Sequence, residues 1–145
     1  MSNLKKEGIT INCDFDGTVV THDYPRTGKD IGSVKVLKKL TDNGHKLILF
    51  TMRSDSKFTR LDGTIETTGL TDAVNWFKEN DIPLFGIQTN PDQRSWTESP
   101  KSYAQLMIDD SALGCPLKFD SNLSNRPFVD WVKVEEMLIE MKLIS

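Results

Sequence analysis

Four short apolar runs recur along the chain, at residues 9–13 (I-T-I-N-C), 47–50 (L-I-L-F), 83–88 around Leu84, Phe85 and Ile87, and 103–108 (Y-A-Q-L-M-I). Each is too short for a helix and bounded by polar residues, the pattern of strands buried in a sheet. Between them the period changes. Residues 31–43 place Val34, Val36, Leu37 and Leu40 in one stripe among lysines, with Asp30 or Ser33 as cap and Asn43-Gly44 as stop, so a helix is predicted there. A second helix is predicted over 71–80, capped by Thr71 and burying Ala73, Val74 and Phe77. A third is predicted over 129–143, begun by Asp130 and burying Trp131, Val134, Met137, Leu138 and Met141. Strand, helix, strand with short joins makes the strands parallel and brings their carboxyl ends together. The predicted class is therefore α/β with a mainly parallel sheet. Residues 19–29 read as a loop or flap, 89–100 as a polar loop with a helical turn, and 117–119 as a brief last strand. Residues 56–68 read as a hairpin turning on the two residues Asp62-Gly63.

Length and composition narrow the class. At 145 residues and 37% hydrophobic content the chain makes a single domain, 1–145, with one core. Residues 1–7 are polar and read as a flexible arm. A net charge of −3 gives no broad basic face, so nucleic acid enters only as a substrate. No apolar run reaches membrane-spanning length and no apolar leader precedes the first strand, so a cytoplasmic protein without membrane contact is expected. Cys13 and Cys115 make no disulfide framework and read as structural thiols of a reducing compartment.

Candidate chemistry lies where the strands end. The first runs into Asp14-Phe15-Asp16-Gly17-Thr18. Carboxylates two apart at a strand end share one side of the chain, repel, and suit a hard cation such as Mg²⁺. Gly17 permits a tight turn or the close approach of a ligand. The fourth strand ends at Asp109-Asp110, a second acidic pair whose burial is costly unless it meets a cation. The second strand ends at Thr51-Met52-Arg53. Parallel order brings Thr51 beside Asp14, where its hydroxyl can donate to a phosphoryl oxygen and Arg53 can pair with a substrate's anionic group. Another Asp-Gly-Thr, at Asp62-Gly63-Thr64, follows no buried strand and is read as a turn only. His22, in the flap, is read as a solvated loop histidine and given no role.

Asp14-Phe15-Asp16-Gly17-Thr18, Thr51, Lys101 and Asp109-Asp110, in that order, resemble the four motifs of the haloacid dehalogenase (HAD) superfamily of phosphatases, and the resemblance spans nearly the whole chain. It implies a Rossmann-like three-layer α/β sandwich whose site lies beyond the carboxyl ends of the strands. It implies Asp14 as nucleophile through an aspartyl-phosphate, Asp16 as general acid and base, and Thr51 and Lys101 as holders of the transferring oxygens. Gly17, Thr18 and Arg53 would bind substrate. Mg²⁺ is the implied cofactor, held by Asp14, by Asp16 through its backbone carbonyl and by the final acids, with Asp110 as the direct ligand and Asp109 orienting Lys101 or a water. Lys101 stands close to Asp109, with no room for the full helix many relatives place between them. The intervals 19–29 and 89–100 are too short for the cap domains of larger members. A capless enzyme is expected, acting on a small-molecule or macromolecular phosphomonoester, with the 56–68 hairpin as a shallow lid and homo-oligomerisation left open.

Other readings use the same residues. A phosphotransferase would pass the aspartyl-phosphate to an acceptor other than water, and a non-catalytic module would only bind a phosphorylated ligand. A receiver domain is disfavoured by order, since there the acidic pair comes first and the phosphorylated aspartate lies mid-chain.

Overall fold

The computed structural model describes residues 8–56, 58–59, 61–63, 65–66 and 68–145; the predicted arm, 1–7, lies outside them, as do Lys57, Arg60, Thr64 and Thr67 of the hairpin. In chain order the elements are β1 (Thr10–Cys13), α1 (Ser33–Asp42), β2 (Lys46–Leu49), β3 (Phe58–Thr59), β4 (Ile65–Glu66), α2 (Gly69–Glu79), β5 (Gly86–Ile87), β6 (Leu106–Ile108), β7 (Leu117–Lys118), β8 (Phe128–Val129) and α3 (Trp131–Glu140), with a 3-10 turn at Gln93–Ser95. A parallel sheet has the order β5-β2-β1-β6, with Cys13 opposite both Leu49 and Ile108. Two small antiparallel pairs, β3-β4 and β7-β8, stand apart from it.

The two faces of this sheet are covered by different means. Residues paired in a parallel ladder point the same way, so Ile11, Cys13, Leu47, Leu49 and Ile108 share a face. They join one core with Val36, Leu37 and Leu40 of α1, Ala73 and Phe77 of α2, and Val134 and Leu138 of α3. Chain direction explains why. From β1 to β2 to β5 the chain steps one way across the sheet, and right-handed crossovers put α1 and α2 on the same side. The return from β5 to β6 runs the other way and must cross the opposite face.

That return is residues 88–105; it lies on the face of Asn12 and of fully buried Ile48, and a set of polar side chains braces it. Asn12, facing away from the core, donates to the Ser102 carbonyl and accepts from the Ser102 hydroxyl, both at 3.0 Å. Gln93 donates to the carbonyls of Ser99 and Lys101 and accepts from the Tyr103 amide. Asn90 donates to the Tyr103 carbonyl at 2.9 Å. The architecture is thus a Rossmann-like three-layer α/β sandwich without a large cap domain, its third layer thinned to a braced loop. Among the described residues no helix is long and apolar enough to cross a membrane.

Several expectations shift in detail. Neither Asp30 nor Ser33 caps α1: the cap is Gly32, at φ 89°, while buried Ser33 donates to the Val19 carbonyl and Asp30 accepts from the Gly32 amide. α2 starts at Gly69, ahead of the predicted Thr71, whose amide and hydroxyl both donate to Asp55. Asp130 does cap α3, accepting from the Lys133 amide. Met137 and Met141, predicted to be buried, are 47% and 45% exposed; the helix turns Trp131, Val134 and Leu138 inward and leaves the methionines on its outer flank. Of the 56–68 hairpin, Phe58 pairs with Glu66 and Thr59 with Ile65, a register centred on Asp62 rather than on a two-residue Asp62-Gly63 turn. The strand predicted at 117–119 is β7, and its partner β8 was not anticipated.

Candidate functional site

The site begins where β1 stops. Asp14 still follows the ladder, its amide donating to the Ile108 carbonyl at 3.0 Å. Just beyond, the amides of Thr18 and Val19 fold back onto the Phe15 carbonyl, and Gly17 takes φ 77°. Strand alternation therefore ends between Asp14 and Asp16, and the two carboxylates part. Asp14 meets Asp109 and Asp110, one oxygen of each lying within 4.8 Å of the others. Asp16 turns instead to Arg53, so its side chain is no member of the acidic group, contrary to what spacing alone predicts.

Buried Thr18 ties Asp14 to Asp110. Its hydroxyl donates to Asp14 Oδ2 at 2.7 Å and to Asp110 Oδ1 at 3.3 Å, and accepts from the Asp110 amide at 3.1 Å. His22 Nε2 donates to Asp110 Oδ2 at 2.9 Å. Asp109 Oδ1 accepts from the amide and hydroxyl of Ser111. Among the described residues, no lysine or arginine forms an ion pair with these three acids. Burial pushes the Asp14 carboxyl up from 3.8 to about 7; the Thr18 hydroxyl pulls against this, and Asp109 and Asp110 add repulsion. Three hard carboxylates with no cationic partner are a donor set that fits a divalent cation such as Mg²⁺.

The hydrogen bonds also divide the two final acids. Both Asp110 oxygens accept bonds, from Thr18 and His22, whereas Asp109 uses one oxygen for Ser111. Asp109 thus keeps a carboxylate oxygen with no hydrogen-bond donor on it among the described residues, whereas both oxygens of Asp110 have one.

Arg53 is not a substrate arginine in this arrangement. It is 2% exposed, and all five of its N–H donors are spent. Nε and Nη2 take both Asp16 oxygens at 2.8 Å, and the remaining bonds go to the carbonyls of Pro25, Arg26 and Gly69. Phe15 and Tyr24 stack at 4.9 and 5.1 Å from the guanidinium carbon. Burial works against its charge, but the Asp16 pairing prevails and holds its pKa above the ordinary value. Gly17 and Thr18 are likewise internal: their amides bond to Val20 and Phe15, and both residues are buried, so neither offers a donor to substrate.

Thr51 follows β2, whose last residue pairs with Cys13, so it comes to the same end of the sheet as Asp14. Its hydroxyl accepts from the Arg53 amide at 3.1 Å, leaving its proton for another group. Gln88, at φ 67°, pins this turn by accepting from the Thr51 amide and donating to the Thr51 and Arg53 carbonyls. Lys101 is exposed. Its backbone is anchored by Ser99 and Gln93 beside Ser102, on the Asn12 side of the sheet, and its ammonium forms no ion pair with the trio. Cys13 and Cys115 are free, and burial pushes both thiols up, which suits structural thiols.

Sequence reasoning missed two residues here. Gln88 ends the third strand, and parallel order already put it beside Thr51. His22 follows the acidic turn closely enough to return over it, but loop composition concealed that its side chain is only 15% exposed.

No family model and no curated protein matches the chain. Among solved structures, that of a conserved protein from Bacteroides thetaiotaomicron is similar, with a TM-score of 0.68 and 29% identity over 92% of each chain. The likeness supports the fold.

Proposed function

We propose that this protein is a Mg²⁺-dependent phosphomonoester hydrolase of the HAD type, working through an aspartyl-phosphate on Asp14. The supporting observation is the convergence of Asp14, Asp109 and Asp110 from two strand ends, with the Thr18 hydroxyl joining Asp14 to Asp110 and, among the described residues, no lysine or arginine ion pair to any of the three. Mg²⁺, held by Asp14, Asp109 and the Asp16 carbonyl, would supply the charge neutralisation that lets an anionic nucleophile approach an anionic ester. Asp14 would attack phosphorus, forming its O–P bond as the bond to the leaving oxygen breaks. Asp16 would give that oxygen a proton and then take one from the water that cleaves the Asp14–phosphorus bond. One Asp16 oxygen must leave Arg53 for this. Three carbonyl contacts keep Arg53 in place meanwhile. Thr51 would donate its hydroxyl proton to a transferring oxygen, and Lys101 would reach the same oxygens from the 88–105 layer. Without a large cap, the site suits phosphoesters of varied size.

The engagement of both Asp16 oxygens by Arg53 also favours a second reading, a phosphotransferase in which water is activated slowly. The test is phosphate release from an aryl phosphate with Mg²⁺, with EDTA, and with Asp14→Asn. Turnover that needs both metal and Asp14 is expected. Mg²⁺-dependent labelling of Asp14 without turnover favours the transferase, and turnover retained by Asp14→Asn overturns the mechanism.

A further inference from the structure

The imidazole of His22 lies against Gly17 so closely that an added Cβ there would meet Nε2 at 2.0 Å, Cε1 at 2.4 Å and Cδ2 at 2.6 Å. Glycine is thus favoured at 17 by its φ of 77°, and the His22 ring occupies the space a side chain would take there. From that seat Nε2 reaches Asp110 Oδ2 at 2.9 Å, while Thr18 holds Oδ1. Asp110 is gripped from both sides, by groups that are themselves buried or nearly so. Neither Asp14 nor Asp109 is bound by the imidazole.

We infer that His22 is a positioning residue that sets which divalent cation the acidic site accepts; this rests on the metal-dependent reading above. Held by His22 and Thr18, Asp110 acts as an outer carboxylate, leaving Asp14 and Asp109 as the direct carboxylate ligands. Few carboxylates plus retained waters suit Mg²⁺, which keeps an octahedral shell at about 2.1 Å and gives up water reluctantly. Ca²⁺ takes roughly six to eight oxygens at about 2.4 Å and gains from each added carboxylate. Releasing Asp110 from His22 would supply one more anionic oxygen and shift selectivity toward the larger ion. Partners of this kind, one step removed from the ligands, commonly tune metal sites.

Isothermal titration of Mg²⁺ and of Ca²⁺ into the full chain tests this with wild type, His22→Ala and His22→Asn. The expected result is a Mg²⁺ preference in wild type and at least a tenfold shift of the Ca²⁺-to-Mg²⁺ affinity ratio toward Ca²⁺ in His22→Ala. His22→Asn, which keeps a donor, should recover most of the preference. A purely structural role would weaken both ions in proportion, and that outcome, or an unchanged ratio, overturns the inference while leaving the phosphatase reading intact. A wild type that binds neither ion overturns both. Should His22→Ala fail to fold, the ratio in His22→Asn against His22→Leu decides the matter in the same way.

Discussion

Replacing Asp14 by asparagine removes a charge while keeping its shape, so its effect on stability should depend on pH in a defined direction. In the folded protein Asp14 holds its proton up to about 7, against 3.8 for the ordinary carboxyl. Between those values the folded state binds more protons than the unfolded one, so stability falls as pH rises. The stabilising contribution is complete below about pH 4 and gone above about pH 7. A shift of this size sets a ceiling of about 4 kcal/mol. Water reaching the partly exposed carboxyl lowers the expectation to roughly 2 kcal/mol. Asparagine cannot ionise, so the variant lacks this slope. In urea titrations with EDTA, the two proteins should converge near pH 4, and Asp14→Asn should be about 2 kcal/mol more stable at pH 8. Excess Mg²⁺ should then stabilise wild type at pH 8, leave it nearly unchanged at pH 5, and do little for the variant. Parallel stability curves for the two proteins from pH 4 to 8 would refute the account of Asp14.

Other outcomes follow from buried polar groups. Arg53→Met should cost about 3 kcal/mol in urea denaturation, because it strands Asp16 and three carbonyls; Arg53→Lys should recover little, since an ammonium cannot replace the two-pronged contact. His45 accepts from the Ile9 amide and donates to the Leu143 carbonyl, so His45→Phe should cost about 2–4 kcal/mol, with faster amide exchange at Ile9 as the local reading. Asn12→Ala should cost about 2 kcal/mol and raise KM more than it lowers kcat, because Ser102 and its neighbour Lys101 lose their anchor. An unchanged KM in that variant would count against Lys101 as a substrate contact.

The sequence was most legible where a repeating pattern governs the outcome. Ile11, Cys13, Leu47 and Leu49 announce buried strands, and the order of short joins sets their parallel direction, which alone brings Asp14 and Asp109 to one end of the sheet. Legibility failed where the pattern stops. Alternation predicts Asp14 and Asp16 on one side, but the turn at Phe15–Thr18 has its own hydrogen bonds and sends Asp16 to Arg53. Arg53 looks like a surface cation by residue type. Only the convergence of three carbonyls, two rings and a carboxylate, drawn from three parts of the chain, makes a buried site for it. His22 gave no signal because its partner, Asp110, lies 88 residues away.

The loop layer at 88–105 gives the two faces of the sheet different evolutionary freedoms. On the helical face, exchange among apolar residues of similar volume is tolerated, since the core asks chiefly for filled space. On the loop face, Asn12, Asn90, Gln93 and Ser102 act through donor and acceptor positions, and no apolar residue of the same size can stand in for them. Length is the looser constraint there. Residues can be added between the anchored points at small entropic cost, so this stretch is where a descendant of the chain could grow a further segment without disturbing the core.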